Sequence, residues 1–215
     1  MSSTALVPSL VRPSSRVLAA VADVVLVALG VALIALSAQF VFHLPWTPVP
    51  ITGQTFAVLL VGGAYGATRA FSTLVAYLVI GGLGLNVFAD WSSGWDVLRL
   101  SSATGGYLVG MLVAATLVGW LADRGWDRKA VRSFPAMILG NVVIYAFGAT
   151  WLAHALNLSA SQAWHLGVQP FLWGDTVKIL LAAGLLPAAW WGVDKVKATA
   201  GAPDEPPTAV SDSRE

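Results

Sequence analysis

The sequence predicts an all-α integral membrane protein in which six transmembrane helices form a bundle. Three observations predict this fold class. Of the 215 residues, 57% are hydrophobic and only 11% are charged, which is under half of the roughly 25% charged residues typical of soluble domains. The mean hydropathy is +0.74, and the apolar residues gather into six segments separated by proline-rich or charged stretches. These figures exclude an ordinary soluble domain and a disordered chain.

The composition also excludes several kinds of function. The net charge is +1, so no overall basic field attracts nucleic acid. The chain has no cysteine, which removes disulfides, thiolate metal sites and cysteine nucleophiles. The three histidines, His43, His154 and His165, are widely spaced in the chain and form no metal-binding pair. No metal or cofactor is therefore expected.

The first apolar segment follows a short N-terminal tail. Residues 1–16 contain serine, proline and arginine and are predicted to form a loose tail. Residues 17–42 are long enough for a first span, since about 20 apolar residues cross the hydrocarbon core. Residues 45–50 contain three prolines, so a regular helix cannot continue there. Apolar sequence resumes at residues 55–68, a short second span that Arg69 interrupts.

Four further spans follow with polar segments between them. A polar stretch at residues 90–102 separates the third span from the fourth, a charged loop at 123–132 precedes the fifth, and a mildly polar loop precedes the sixth. The predicted spans cover residues 70–89, 104–122, 134–156 and 171–193. The membrane domain is thus predicted at residues 17–194. Residues 195–215 are rich in proline, aspartate and serine and are predicted to be a disordered tail.

The positions of the basic residues predict the orientation. Cytoplasmic loops of membrane proteins are enriched in lysine and arginine. With both termini inside, ten of the twelve basic residues are cytoplasmic; these are Arg12, Arg16, Arg69, Arg124, Arg128, Lys129, Arg132, Lys195, Lys197 and Arg214. We therefore predict a cytoplasmic N-terminus and a cytoplasmic C-terminus in the cell membrane. Arg99 and Lys178 are the two exceptions.

Small residues recur at four-residue spacing in several spans. Such pairs let helix backbones approach closely in a membrane. Gly62 with Gly66, Gly106 with Gly110, and Ala115 with Gly119 favour packing within the bundle. The pair Ala28 and Ala32 on the first helix best fits a surface for another membrane protein.

The two exceptional basic residues indicate a binding site. Lys178 lies within the sixth span, three residues after Asp175, and residues at this spacing share one helix face. An ionisable residue within a span is costly and is a candidate functional residue. In one interpretation Arg99 and Lys178 hold an anionic group such as a carboxylate, and Asp175 positions the lysine or accepts a ligand N–H. In the other, Asp175 and Lys178 form a structural ion pair, or Lys178 extends to the outer surface.

Two amide side chains, Asn86 and Gln54, are predicted on the same outer side. Because an amide offers both a donor and an acceptor, the pair suits a urea-like or amide-like ligand. Ordinary loop hydrogen bonding is the alternative interpretation for each of them.

An intramembrane enzyme is the competing class. It requires a nucleophile within reach of a base, and the chain has no glycine-flanked serine motif. His154 and the serines of the chain give no recognisable catalytic set, so we predict that the protein is not an enzyme. The chain also lacks a phosphate-binding loop of the Gly-x-x-x-x-Gly-Lys-Ser/Thr kind. Any ATP hydrolysis coupled to this protein must therefore be carried out by other chains.

An ordered set of motifs resembles the BioY family, the biotin-specific substrate-binding (S) components of energy-coupling factor (ECF) transporters. The motifs are Ala28-Leu29-x-x-Ala32-Leu33-x-Ala35-x-x-Ala38-Gln39, Val49-Pro50-Ile51-Thr52-Gly53-Gln54-Thr55-Phe56, Gly84-Leu85-Asn86-Val87-Phe88-Ala89, Thr104-Gly105-Gly106-Tyr107-Leu108-Val109-Gly110, Ile144-Tyr145-x-x-Gly148-x-x-Trp151-Leu152 and Pro170-Phe171-x-x-Gly174-Asp175-x-x-Lys178. No single motif is decisive, but their order is specific, and together they cover residues 20–190.

The resemblance implies a six-helix S-component fold that binds biotin near the outer face under the proline-rich loop. It assigns the biotin carboxylate to Arg99 and Lys178 with Asp175 as partner, and places Asn86, Gln54 and Tyr145 near the ureido ring. It also implies that Ala28 and Ala32 meet a transmembrane T component, which couples to two ATP-binding cassette ATPases. An S component for another small anionic vitamin is the alternative.

Overall fold

A computed structural model describes residues 5–10 and 15–200. The chain is mostly helical, with one hairpin of two short strands and three short 3₁₀ turns in the described part. The elements are α1 (Leu6–Leu10), α2 (Arg16–Ala38), β1 (Val41–Phe42), β2 (Ile51–Thr52), α3 (Gln54–Tyr65), α4 (Ala67–Gly82), α5 (Gly105–Ala122), α6 (Ala130–Ala155), α7 (Ala160–Gly167) and α8 (Leu172–Ala200). The 3₁₀ turns are Ala89–Trp91, Trp95–Leu98 and Gln169–Phe171.

Apolar length defines the membrane-spanning part of the fold. Four stretches of the described chain are long and apolar enough to cross a bilayer by length and composition: Arg16–Ala38, Gly105–Ala122, Ala130–Ala155 and Ala160–Lys195, the last of which contains α7 and most of α8. Helices α3 and α4 are apolar but shorter. Since α3 has 12 residues, it is only about 18 Å long, against a hydrocarbon core of about 30 Å.

Helix α5 forms the centre of the bundle. Its most apolar window is 67% buried, whereas that of α2 is only 11% buried. It packs against α3, α4 and α6 through small residues, as the sequence spacing predicted. A Cβ on Gly106 would lie 2.7 Å from the backbone oxygen of Phe147 in α6, and a Cβ on Gly62 of α3 would lie 2.8 Å from that of Ala115. Only glycine permits these helix crossings.

The first two predicted spans end earlier than the apolar pattern indicated. Helix α2 ends at Ala38, not at residue 42, because Gln39 caps it: its Nε2 donates to Ala35 O at 3.1 Å and to Phe88 O at 3.0 Å. Val41 and Phe42 then pair antiparallel with Thr52 and Ile51.

The break between the second and third spans lies at Gly66, not at Arg69. Gly66 has φ of +79°, which a glycine adopts easily. Arg69 lies inside α4, and its Nε donates to Asp23 Oδ1 at 2.7 Å. The third span was also predicted too long. Helix α4 ends at Gly82 instead of residue 89, shortly before Gly84 at φ of +110°.

Helix α7 was missed by the sequence analysis, which predicted a loop there. Ser159 Oγ accepts a hydrogen bond from Gln162 N at 3.3 Å, and Gln162 Oε1 accepts one from Ser159 N at 2.9 Å. This reciprocal capping box starts the helix. The Ser-x-x-Gln pattern was visible in the sequence.

Both predicted tails are partly ordered helix. At the N-terminal end, α1 packs against α3 and α8, with Ala5 0% and Leu6 8% exposed. The predicted loose tail of residues 1–16 is therefore wrong for residues 5–10, and residues 1–4 and 11–14 lie outside the described part. At the other end, α8 continues to Ala200, because no glycine or proline interrupts the sequence between Lys195 and Ala200. The rest of the predicted C-terminal tail, residues 201–215, lies outside the described residues.

Asp127 connects α1 to the bundle from the loop between α5 and α6. It is 2% exposed. Trp190 Nε1 donates to its Oδ2 at 2.6 Å, and the backbone N–H of Leu6 also donates to its carboxyl group. Burial nevertheless raises the pKa of Asp127 above the usual value of 3.8, since it disfavours the charged form.

This raised pKa predicts a loss of stability with rising pH. Below the ordinary pKa of aspartate both the folded and the unfolded carboxyl are protonated, so Asp127 has no effect. As pH rises through the ordinary value and then the raised folded value, the unfolded state ionises more readily and the folded state is disfavoured. Each tenfold change in the folded-state ionisation constant corresponds to about 1.4 kcal/mol.

The variant Asp127→Asn should remove this pH dependence. Thermal unfolding in detergent from pH 4 to 8 should show the variant gaining stability relative to the unmodified protein as pH rises. A difference between the two proteins that stays constant over this range would contradict the prediction.

Candidate ligand-binding site

A cavity of about 250 Å³ lies at one end of the helix bundle, between α3, α5, α6 and α8. Its size is near the lower end of the range of about 300–1,000 Å³ for small-molecule pockets. The proline-rich loop (residues 43–50), strand β2 and the turn at residues 88–92 cover it. Its apolar walls include Val49, Phe88, Leu108, Met111, Ile144 and Phe171. The cavity therefore suits a compact ligand with substantial apolar surface.

An ion pair lies at the α8 wall of this cavity. Lys178 Nζ is 2.8 Å from Asp175 Oδ1, and the two side chains are 18% and 4% exposed respectively. Asp175 occupies the first turn of α8, where the positive end of the helix dipole stabilises its charge. The expected sharing of one helix face by these residues is thus observed.

Three other elements hold this ion pair. Lys178 Nζ also donates to Thr52 O of β2 at 2.6 Å and to Thr55 Oγ1 of α3 at 3.3 Å. Thr55 Oγ1 donates to Asp175 Oδ1 at 3.1 Å, and Tyr145 of α6 donates to Asp175 Oδ2 at 2.6 Å. The pair is therefore fixed from α3, α6 and the hairpin at once. Thr52 and Thr55 were not singled out by the sequence analysis, although both belong to the motif that contains Gln54.

The hydrogen-bonding capacity of the pair limits what a ligand can do there. An ammonium group has three N–H donors, and all three of Lys178 have partners in this structure. A ligand acceptor must replace one of these partners, and the longest contact, to Thr55, is the easiest to replace. Among the described residues, Asp175 Oδ2 accepts from Tyr145 alone, so it retains capacity for a ligand N–H.

Gln54 lines the cavity from the start of α3 and is 3% exposed. Its Nε2 donates at 2.9 Å to the hydroxyl of Tyr77, and that hydroxyl donates to Val87 O at 3.0 Å. Tyr77 was not identified from the sequence, because an aromatic residue inside an apolar span gives no signal of its own.

The structure brings together four of the six predicted ligand-binding residues: Gln54, Tyr145, Asp175 and Lys178 all line the cavity. Arg99 and Asn86 are not among the described residues that line it. Arg99 is exposed and pairs with Asp96 Oδ1 at 2.8 Å, and Asn86 accepts from Ser93 Oγ at 2.8 Å. The segment after α4 folds on itself through 3₁₀ turns, which pairs these side chains locally at the surface.

A second polar pair lies among the cavity-lining residues on the exposed side. His43 Nε2 is 2.9 Å from Asp90 Oδ2, and both side chains are more than half exposed. The pair connects the proline-rich loop to the turn at residues 89–91. Thr47 Oγ1 further connects that loop to α7 by donating to Leu166 O at 2.6 Å.

The fold and the cavity together define a multi-pass helical membrane protein that can bind a small molecule at one end of its bundle. The cavity combines apolar walls with one ion pair, a tyrosine hydroxyl and an amide, all held by hydrogen bonds from neighbouring elements.

The BioY family model matches residues 10–195, and the chain belongs to that family. The family assignment made from the sequence motifs is confirmed. A biotin transporter BioY of Rhizobium etli is 35% identical over 169 residues, covering 75% of this chain and 89% of the relative. A biotin transporter BioY2 of Lactococcus lactis is 34% identical over 159 residues, covering 73% of this chain and 83% of the relative. A probable biotin transporter BioY of Pyrococcus horikoshii is 36% identical over 160 residues, covering 74% of this chain and 91% of the relative.

A solved structure shows the same fold. The crystal structure at 2.1 Å of the S-component for biotin from an ECF-type ABC transporter superposes with a TM-score of 0.74 at 20% sequence identity. The match covers 82% of this chain and 94% of the solved chain. The predicted S-component type of helical fold is confirmed by this match.

Proposed function

We propose that the chain is the biotin-binding membrane subunit of an ECF-type vitamin uptake transporter. The observation that carries the proposal is the buried Asp175–Lys178 pair in an apolar cavity beside Gln54 and Tyr145. The names of the curated relatives support the choice of biotin. A catalytic role is not proposed, since these relatives are named as transporters.

The chemistry of the cavity suits the groups of biotin. Biotin has a carboxylate, an apolar tail and a ureido ring. The ammonium of Lys178 can hold the carboxylate, while the carboxylate of Asp175 either orients the lysine or accepts a ureido N–H. Gln54 and Tyr145 provide further polar contacts, and the apolar walls enclose the remaining surface.

Arg99 and Asn86 are retained as predicted contacts of biotin. Val97, two residues before Arg99, lines the cavity, and contact between Arg99 and a bound carboxylate requires the release of Asp96. Asn86 lies next to Val87, whose carbonyl accepts from Tyr77. Either role requires a rearrangement of the exposed turns.

The six-span topology, with both termini in the cytoplasm of the cell, is part of the proposal. In addition to the four long stretches, α3 and α4 supply the two shorter spans. Contacts at the end opposite the cavity support this topology: Arg69 meets Asp23, Ala67 N donates to Asp123 Oδ2 at 3.0 Å, and Trp190 donates to Asp127. Arg69 in α4 and the basic residues Arg124, Arg128 and Lys129 in the loop between α5 and α6 belong to this end, which the positive-inside tendency assigns to the cytoplasm.

The proposed partners are a transmembrane T component and two ATP-binding cassette ATPases. Helix α2 supplies the proposed T-component surface, because its apolar window is largely unburied. Ala28 and Ala32 are both exposed on this helix, and exposed Leu29 and Leu33 lie beside them. Co-purification of these partners from native membranes would support the assembly.

A binding titration tests the proposed function. Purified protein in nanodiscs should bind biotin saturably, as followed by isothermal titration calorimetry. Desthiobiotin and biotin amide should compete more weakly than biotin, and unrelated vitamins should not compete. No saturable binding of biotin would contradict the proposal, and stronger binding of a different anionic vitamin would favour the alternative S component.

A further inference from the structure

The buried end of the cavity contains a chain of hydrogen bonds whose direction is fixed by a backbone carbonyl. Val87 O can only accept, and its donor is the Tyr77 hydroxyl at 3.0 Å. A tyrosine hydroxyl has one proton, so the same oxygen can only accept from its other neighbour. That neighbour is the amide of Gln54 at 2.9 Å, which must therefore direct its NH₂ group toward Tyr77.

The Val87 carbonyl thus determines the orientation of the Gln54 amide, whose nitrogen and oxygen have nearly the same shape. Nitrogen and oxygen of a glutamine amide are distinguished by the hydrogen bonds they make. The reverse orientation would direct the Tyr77 proton to Gln54 Oε1 and leave Val87 O without this donor. Because Val87 is only 8% exposed, an unpaired carbonyl there would be costly.

Tyr77 is well placed to impose this direction. It is 0% exposed, and its ring packs edge-on against Phe88, with ring centroids 5.4 Å apart and planes at 80°. Phe88 itself lines the cavity. The tyrosine ring is thus held between α4 and the cavity wall, and its hydroxyl has little freedom to move.

We propose that Tyr77 is a positioning residue that turns the carbonyl oxygen of Gln54 toward the ligand, so that this end of the cavity selects a ligand N–H donor. Gln54 Oε1 accepts no hydrogen bond within the described residues, and Gln54 borders the cavity. An acceptor fixed there suits a ureido N–H and repels a carboxylate. The inference rests on the proposed function, since it specifies which group of biotin lies at Gln54.

The test compares the variant Tyr77→Phe with the unmodified protein against three probes: biotin, biotin methyl ester and biotin methylated on one ureido nitrogen. The variant should bind biotin about tenfold more weakly, the loss expected for one buried hydrogen bond. Its preference for biotin over the N-methylated probe should shrink by a similar factor. Its preference for biotin over the methyl ester should not change, because Gln54 does not contact the carboxylate.

Thr73→Val is the matched control. Thr73 lies one turn earlier on α4, is 0% exposed and donates to Arg69 O at 2.8 Å, but it does not line the cavity. This variant loses a buried hydroxyl without altering Gln54, so all three affinities should stay unchanged. If Tyr77→Phe retains the full preference against the N-methylated probe, the inference is overturned. If the unmodified protein does not bind biotin at all, the result contradicts the proposed function itself, which distinguishes it from a failure of the inference about Tyr77.

A second variant tests the direction of the chain without changing Tyr77. In Gln54→Glu, a carboxylate without a donor replaces the NH₂ group that donates to the Tyr77 hydroxyl oxygen. The thermal midpoint of this variant at neutral pH should therefore fall by several degrees. Lowering the pH should restore much of this loss, because a protonated carboxyl can donate to Tyr77. A Gln54→Glu variant as stable as the unmodified protein at neutral pH would show that Tyr77 can donate to residue 54 without cost to Val87 O. The reason for the fixed direction would then be lost, which overturns the inference.

Discussion

Replacing Lys178 with methionine should weaken biotin binding by at least about 100-fold. Methionine retains most of the apolar length of the side chain but removes the charge-assisted hydrogen bonds to the ligand. It also leaves Asp175, whose side chain is 4% exposed, as a carboxylate without its counter-ion. A ligand carboxylate would then face a like charge. The expected loss is about 2.7 kcal/mol in binding free energy, and calorimetric titration of protein in nanodiscs measures it.

Two further variants separate loss of binding from loss of folding. Lys178→Met alone should also reduce stability, by about 3 kcal/mol if the pair behaves as a buried one. Adding Asp175→Asn should recover much of this stability without recovering affinity. Lys129→Met is the control, since Lys129 is exposed in the loop between α5 and α6. This variant should bind biotin with the affinity of the unmodified protein. If Lys178→Met bound biotin within threefold of the unmodified protein, Lys178 would not hold the ligand.

Replacing Gly106 with alanine should produce a large loss of stability for a change of one methyl group. The added Cβ would collide with Trp151 Cβ and lie 2.7 Å from Phe147 O. Because the second atom belongs to the backbone, no rotamer change can relieve the contact, and α5 and α6 must separate. Overpacking of this kind costs about 1–3 kcal/mol. The thermal midpoint in detergent should therefore fall by roughly 2–12 °C.

Gly184→Ala in α8 is the matched control for this change. No atom lies within 4 Å of a Cβ built on Gly184, so the same added methyl group meets open space. Alanine also has a higher helix propensity than glycine. The midpoint of this variant should stay the same or rise slightly, and an equal fall in both variants would contradict the packing explanation.

The sequence predicted those features that depend on local apolar length or on helical spacing. It predicted the four long apolar stretches, the small-residue crossings at Gly62 and Gly106, and the shared face of Asp175 and Lys178. Helix α7 could also have been predicted, from its capping box at Ser159. The hairpin could not, because strands of two residues give no periodic pattern.

The parts of the site that escaped prediction depend on contacts between distant segments. Arg99 and Asn86 were expected at the cavity, but the turns after α4 pair them with Asp96 and Ser93 instead. Conversely, Tyr77 gains its importance only because α4 brings it between Gln54 and Val87. Sequence spacing along one helix carries no information about contacts between residues of different elements.

The bond between Lys178 and the carbonyl of Thr52 makes the hairpin and the ligand thermodynamically linked. One ammonium group contacts both the backbone of β2 and the wall where the ligand is proposed to bind. If ligand binding changes the equilibrium constant for forming that bond by some factor, then forming the bond must change ligand affinity by the same factor, since linkage is reciprocal. The hairpin that covers the cavity can thus act as an effector of the binding site beneath it.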